Sequence, residues 1–559
     1  MSRHFVALDS PTIHHSRSRF DLSYDVKTSM SVGKLYPVYI QEIYPGDTFN
    51  DDTTLVTRLS SAFIRPVMDN LFMDVYFFFV PNRLVFSQWA EVFGENKASA
   101  WVPLTTVNAP VFPTYQAVYE GTVGDYLGLP VTDIASGDFL PRGVNILPFR
   151  AFAKIYDDWF RDQNMIAPML IQTGGYNASE TLNNNAWSPA NYMGKLPSVS
   201  KFHDIFTSAL PSTQKASNPV RVPIIQDLAP VRPDNLEGLH NINEPINFQF
   251  ASASANNYSL QGYSASSSAN KLIKGVATSS ASSGVGINAW NLYADLSDAG
   301  QINVTDMRYA FQLQRILERA ARTGTRYTEY LLGAFGVSSP DARLQRSEYL
   351  GGKRMPLSVQ QVAQTAPGTG SGGDTLAALG AFSLSNGKCG YQKGFVEHGF
   401  VIGVACIRQH HTYQQGVEKF WQRSSRFDYY DPILANISEV PVYKSELYGV
   451  TSAADNDPLT ANVFGFQEAW YDLRQRRSQV TGAMRSNVTA SFDIYHFADF
   501  YSNAPTLNGQ FITEIPDYVD RTIAVPSTSA DQFIVDIYHK QTAIRVLPTY
   551  SIPGLVDHH

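Results

Sequence analysis

Apolar positions run unbroken from Val75 to Val80 and stop at Pro81, within the stretch NLFMDVYFFFVPNRLVFSQW at 70–89. Aromatic and β-branched residues suit a pleated surface, and proline cannot donate the next ladder hydrogen bond. The run therefore predicts a strand ending at Pro81. Both of its faces are apolar, so both must be covered, as in a sandwich or barrel. Val85, Trp89 and Phe93 follow at helical spacing and predict a short helix packed back on the sheet. Upstream, residues 1–33 are polar with little periodicity and read as an extended arm. LYPVYIQEIYPGDTF, from Leu35, alternates as a strand and then turns at Pro45, Gly46 and Asp47. Leu55 to Phe63 predicts a further short strand.

The prolines of 101–148 (Pro103, Pro110, Pro113, Pro130, Pro141, Pro148) predict a long ordered loop over a scaffold rather than a separate domain. A helix follows from Phe149 to Arg161, with Phe149, Phe152, Tyr156 and Trp159 or Phe160 on one face and the charges on the other. Between about 165 and 300 the composition shifts. Residues 251–286 are rich in Ser, Ala and Asn, too small and polar to hold a core of their own. They read either as a linker or as an exposed insertion ordered by neighbouring subunits; Tyr258, Tyr263, Trp290 and Tyr293 offer contact area. Ala310, Leu313, Leu317 and Ala320 give the apolar face of a helix over 306–323, with Asp306 at its N-terminal end and Gly324 as its stop. A second helix spans Tyr327 to Phe335. Residues 366–375 form a flexible loop. Strand patterns return at Phe395–Ile407, Ser491–Phe500 and Gln532–Leu547. Neither end has enough strands alone, so the two must meet in one sheet system. There is no βαβ alternation, which argues against a parallel sheet, and a Greek-key or jelly-roll sandwich with large loops is the economical fold.

Composition supports this reading. Of 559 residues 44% are hydrophobic and 13% aromatic, enough for a large core, while only 17% are charged. A surface of neutral polar groups makes broad protein contacts with little ion desolvation, which suits assembly. The net charge of −7 means that any polyanion contact comes from a local patch or from a separate basic partner. Cys389 and Cys406 allow one bridge at most, and reduced thiols are expected. The first residues, MSRHFVALDSP, carry no signal-peptide pattern, and no run approaches the roughly 20 apolar residues of a spanning helix, so no membrane insertion is expected.

Candidate chemistry is sparse. His14–His15, His410–His411 and His558–His559 lack HExxH or CxxC company, and neighbours on a strand point apart, so these read as solvated or capping histidines. Asp157–Asp158 and Asp51–Asp52 read as helix-face and turn charges. Gly368 to Gly373 lacks the Lys-Ser/Thr of a phosphate-binding loop. The one basic cluster is Arg474, Arg476, Arg477 and Arg485, beside Trp470 and Tyr471. Arginine next to aromatic rings is the chemistry of single-stranded nucleic-acid contact, through phosphate pairing and base stacking. The bland alternative, which weighs somewhat more, is an intersubunit or intrachain ion-pair cluster with the chain's Asp and Glu residues. Arg17 and Arg19 are a weaker second candidate. No catalytic, metal-binding or cofactor-binding residues are nominated.

VYFFFVPNRLVFSQW, followed by WVPLTTVNAPVFPTY, resembles the major capsid protein of the microvirus phages, and LYPVYIQEIYPGDTF is similar to their gokushovirus branch. MRYAFQLQRILERAARTGTRYTEYLLGAFG, EHGFVIGVACIRQHHTYQQGVEKFW and FGFQEAWYDLRQRRSQVTGAMR are similar too. The resemblance covers roughly 1–165 and 300–559. It implies a mainly β fold, an eight-stranded antiparallel jelly-roll sandwich with long loop insertions and a few helices. The organisation expected from it is an arm at 1–33, a core from 34–165 and 300–559, and an inserted region at 166–299 whose tip lies near 251–286. It further implies no enzymatic activity and no cofactor. The implied role is self-assembly in the bacterial cytoplasm into an icosahedral T=1 shell, the virion capsid, around circular single-stranded DNA. A small basic DNA-binding protein and a minor or pilot protein are the implied virion partners. The insertion would meet a host cell-surface receptor, with Tyr258 and Tyr263 as contact candidates. The alternatives are a non-viral jelly-roll carbohydrate-binding or adhesion protein, disfavoured by the missing secretion signal, and a glycosidase, for which no carboxylate pair stands out.

Overall fold

The computed structural model describes residues 16–95, 107–216, 304–363, 379–449 and 462–550, together with Val220, Thr365 and short backbone segments between 231 and 294. The chain divides into two compact units: Met1–Thr213 with Ala321–His559, and Gln214–Ala320.

The first unit is an antiparallel β-sandwich. One sheet has four strands, in the order β6 (Glu348–Leu357), β5 (Leu71–Pro81), β9 (Gly399–Gln409) and β3 (Tyr36–Ile43). The other follows β1 (Ser18–Asp21), β12 (Phe533–Arg545), β4 (Thr48–Leu59), β8 (Leu379–Gly394) and β7 (Val359–Ala363), with β2 (Tyr24–Met30) also paired to β12. Every ladder between these strands is antiparallel. From β2 to β6 successive strands lie in opposite sheets until β5 and β6 pair, so the chain wraps around the sandwich rather than zigzagging within one sheet.

β5 is the strand that the opening pattern predicts, and all but two of its residues are buried. Its neighbours come from the far half of the chain, with Phe78 opposite Ile402 and Phe77 opposite Gly403. Gly403 has a steric reason: a Cβ there would stand 2.8 Å from the Cβ of Tyr39 and 2.9 Å from the Phe77 ring. In the other sheet β12 alternates strictly, with Phe533, Val535, Ile537, His539, Gln541 and Ala543 inward, the period of a sheet with one face on a core. β4 alternates likewise, with Phe49, Asp51, Thr53, Leu55 and Thr57 inward. The two inner faces touch through Phe77 against Tyr391, and the Tyr39 and Tyr391 hydroxyls are 2.8 Å apart. The expected meeting of the chain's two ends in one sheet system is therefore borne out.

Several boundaries differ from the sequence reading. Val85, Trp89 and Phe93 do not share one helix; Asn82–Val85 and Trp89–Val92 are separate turns, and Phe93 is exposed against His398. Leu55 is not the start of a strand but the middle of β4, which begins directly after the Gly46 turn (φ +89°). Asp51 and Asp52 therefore lie within a strand, Asp51 buried and Asp52 exposed, rather than in a turn. Phe395 lies outside β9, which begins at Gly399. Ser491–Phe500 is not a strand: it holds one 3₁₀ turn at Asp493–Tyr495 and a buried run, His496 to Asp499. Phe497 of that run packs against Phe63 in the large core, and a short apolar run alone does not separate strand from buried loop. The described part of the arm, from residue 16, is not loose but enters the sheet as β1 and β2 on β12.

Helix α1 (Leu147–Ile155) continues as a π-helical turn to Phe160, close to the predicted span. Phe149, Phe152 and Tyr156 are buried as expected, but so is Arg150 on the face assigned to charges. Its guanidinium donates to Glu180 Oε1 and Oε2 at 2.7 Å each and to the Gly174 and Gly175 carbonyls, so its burial is fully compensated. Asp157 and Asp158 pair four residues away with Arg161 and Lys154 as helix-face charges, but both are largely covered, Asp158 also accepting from the Ser347 N–H and hydroxyl and Asp157 from the Met169 N–H. Met169, Leu182, Tyr192, Met193 and Leu196, from the region expected to be inserted, lie in the large core.

In the second unit, short antiparallel pairs join Val231–Pro233 to Leu292–Ala294, Asn247–Phe250 to Tyr258–Ser259 and Ile287–Ala289, and Gly262–Tyr263 to Leu272–Ile273. Tyr258 is opposite Phe248 and Tyr263 opposite Leu272. Most of 251–286, Trp290, residues 366–375, His14–His15 and His558–His559 lie outside the described residues. Helix α2 (Val304–Thr323) ends at Gly324 (φ +93°), its predicted stop, and α3 (Tyr327–Phe335) has the predicted span and is closed by Gly336 (φ +67°). Among the described residues no helix is long and apolar enough to cross a membrane.

Candidate nucleic-acid interface

The arginine cluster lies beyond a two-stranded ribbon, β10 (Glu439–Tyr443) and β11 (Val463–Glu468). After β11 the chain reverses through Trp470 in the left-handed region (φ +63°), makes one helical turn at Tyr471–Arg474 and runs on irregularly. The reversal spreads the four guanidiniums into different surroundings. Arg474 pairs with Glu468 Oε2 at 2.6 Å. Arg477 is largely buried and donates to the Glu446 carbonyl and, at 2.7 Å, to the Gly416 carbonyl, so it staples two loops. Arg476 is 78% exposed, with Glu418 no nearer than 4.0 Å, and Arg485 is exposed. Arg17 and Arg19 are exposed too, Arg19 on β1 with Thr542 Oγ1 3.5 Å away.

The aromatic neighbours read from the sequence are not free to stack. Tyr471 is buried and its hydroxyl donates to Glu446; burial and that carboxylate push its pKa up. Trp470 is half-buried, its indole N–H on the Leu434 carbonyl at 2.9 Å and its ring against Tyr430. The rings that do face outward belong to 420–430: Phe420, Trp421, Phe427, Tyr429 and Tyr430, followed by Ile433. They are interleaved with Lys419, Arg423 and Arg426. This segment is fastened to the arginine segment through Lys419 over the Tyr471 ring (4.7 Å) and the Arg423–Asp472 ion pair. Together the two segments line a cleft of about 260 Å³ that includes Phe420, Leu473, Arg476 and Arg477. Its signal was present in the sequence as alternating basic and aromatic residues.

A second polar centre had no local signal. His411 is buried rather than solvated, with Nδ1 2.6 Å from Asp499 Oδ1 and Nε2 3.0 Å from Glu514 Oε2. Lys201 Nζ reaches Asp499 Oδ2 at 3.1 Å, and the Tyr501 hydroxyl donates to the same oxygen. Burial by itself lowers the histidine's proton affinity, but Asp499 and Glu514 outweigh it and push the pKa up to about 9. Burial raises that of Asp499, yet His411 and Lys201 hold it below the ordinary carboxylate range. A doubly accepted imidazolium with no open face ties four chain segments together and offers no substrate access. Among the described residues no group of three His, Cys, Asp or Glu is placed to hold a metal ion. Cys389 and Cys406 are both free thiols, each pushed up to about 12 by burial.

Comparison with known proteins accounts for this absence of open chemistry. A family model described as capsid protein (F protein) matches residues 9–555. Capsid protein VP1 of Spiroplasma virus 4 is 37% identical over 550 residues, spanning 97% of this chain and 96% of that protein. Capsid protein VP1 of Bdellovibrio phage phiMH2K is 34% identical, over 97% and 96% of the two chains, and that of Chlamydia phage 1 is 33% identical, over 98% and 96%. The expected kinship is borne out over nearly the full chain, including residues between 165 and 300 that the sequence resemblance did not cover. The chain belongs to the phage capsid protein (F protein) family, and is thus a structural component of the virion rather than an enzyme.

Proposed function

We propose that copies of this chain close into an icosahedral T=1 shell around a circular single-stranded DNA genome, with the inserted region serving host attachment. The observation that carries the assembly reading is the row of large apolar side chains left outside the core of a capsid-family subunit. Trp421 is 74% exposed, Phe427 77% and Ile433 89%. Such a row marks a contact surface, and fastening it to the Tyr471 segment preorganises it. Its occupant is a neighbouring copy, since a closed shell needs a patch on one subunit that meets a different patch on the next. The strand order, which alternates between two sheets from both ends of the chain, supports a jelly-roll tile. Exposed Arg476 and Arg485, with Arg17 and Arg19, are the DNA contacts this reading assigns. The net charge of −7 leaves most phosphate neutralisation to a small basic virion protein; a minor or pilot protein would complete the particle.

Electron microscopy of the expressed chain is expected to show isometric particles, and their nucleic acid is expected to be circular and sensitive to single-strand nuclease. Phe427→Asp with Ile433→Asp should leave a folded chain that forms none; normal particle yield from this variant would overturn the assigned contact. Deleting 251–286 should keep assembly and reduce attachment to host cells. Loss of particles in that deletion would make the segment a structural contact instead.

A further inference from the structure

On the outer face of the four-stranded sheet, a cavity of about 770 Å³ opens between β5, β6 and the loops at 159–165 and 199–210. Its lining carries Arg161, Lys201, Arg322, Arg326, Arg354 and Arg408 against Asp162 and Glu329. Several of these cations are matched by carboxylates outside the cavity: Arg161 by Asp157, Arg322 by Glu439 and Lys201 by Asp499. Arg354 and Arg408 are different. Both converge on the one carboxylate of Asp74, which is fully buried on β5: Arg354 Nε lies 2.7 Å from Oδ1, and Arg408 Nη2 pairs with Oδ2. Two guanidiniums on one carboxylate leave a surplus positive charge at the cavity wall. Arg354 keeps 43% of its side chain exposed there, and Arg408 Nε has no hydrogen-bond partner.

Aromatic rings line the same cavity. Phe202 lies 4.1 Å from the Arg354 guanidinium carbon and 4.3 Å from that of Arg408. Tyr349 on β6 is 44% exposed and is held from behind by Tyr76, Phe78 and Trp159. A fixed, half-open ring in one cavity with an incompletely neutralised guanidinium pair matches a strand that carries flat π-faces and anions together. We infer that this cavity binds a stretch of single-stranded DNA, with a phosphate on Arg354 and Arg408 and a base on the open face of Tyr349. This rests on the reading that the shell encloses such a genome. The fit is sequence-tolerant, because every base has a π-face and the lining offers a charge rather than a donor–acceptor code.

The test is ultraviolet cross-linking of intact, DNA-containing particles followed by peptide mass spectrometry, with wild-type chain and Arg354→Gln. The variant retains Arg408 on Asp74 and should assemble normally. Nucleotide adducts are expected on the peptide carrying Tyr349, falling at least fivefold in Arg354→Gln while adducts elsewhere persist. Adducts confined to other surfaces, or unchanged by Arg354→Gln, would overturn the cavity assignment and leave genome enclosure standing. Cross-links from this peptide to a protein rather than to nucleotides would overturn it equally. Particles that never contain DNA would overturn the enclosure reading itself, and this one with it.

Discussion

Two arginine-rich surfaces of this capsid protein differ in a way their sequences conceal. Arg474, Arg476, Arg477 and Arg485 are neighbours in the chain, yet one is paired with Glu468 and one is buried on two carbonyls. Arg354 and Arg408 come from different strands and share a single carboxylate, so their one surplus charge is fixed at a cavity wall, whereas the free charge of the sequence cluster, on Arg476 and Arg485, is spread over exposed loops. Clustering in sequence measures charge count, whereas binding capacity depends on the partners that folding supplies. The cavity wall is also braced from behind. Ser200 accepts from Arg408 at 3.2 Å, Lys201 beside it pairs with Asp499, and His411 follows Arg408 closely along the chain.

The largest effect expected from breaking this contrast is at Asp74. Asp74→Ala removes the common partner of two guanidiniums and leaves Arg408 charged in a largely buried site. It should cost about 3–5 kcal/mol, seen as a lower denaturant midpoint, whereas a change under 1 kcal/mol would mean the pair is solvated. The His411 brace comes next. Its pKa is raised from 6.5 to about 9, so its stabilisation is fully present below about pH 6.5 and is lost as pH rises through about 9. The loss should be on the order of 3 kcal/mol, and His411→Gln should flatten the profile across that window. An unaltered slope in the variant would refute the assignment. Smallest, and most diagnostic for the sequence cluster, is the split between its members. Arg477→Ala should lower stability by about 1–3 kcal/mol by abandoning two buried carbonyls. Arg476→Ala with Arg485→Ala should shift stability by under about 0.5 kcal/mol and reduce DNA retained by particles. Equal stability losses in both would erase the distinction.

Much of the scaffold was legible because its signals are local. The run ending at Pro81, the Gly46 turn, the alternation of 532–547 and the glycine stops of α2 and α3 each depend on a few adjacent residues. Ser491–Phe500 misled because an irregular segment that enters the core, with His496 to Asp499 all buried, carries the same apolar residue types as a strand. Arg150 misled because a helical wheel assigns charge to solvent unless a distant Glu180 is known to wait for it. The nucleic-acid candidates were legible as residue types but not as free groups. Tyr471 looked like a stacking ring until the fold placed Glu446 on its hydroxyl, while Phe420 to Tyr430 carried the exposed rings.

The sequence by itself determined the sandwich class, its antiparallel character, the joining of the chain's two ends and membership of the capsid family. Hydrophobic period and turn chemistry act over a few residues, and long unusual motifs preserve kinship. Only the tertiary structure decided which charges are neutralised. Asp74 meets Arg354 and Arg408, and His411 meets Asp499 and Glu514, across separations that no local pattern encodes. Coulomb and desolvation energies depend on distance and burial in space, and those exist only once the strands have paired.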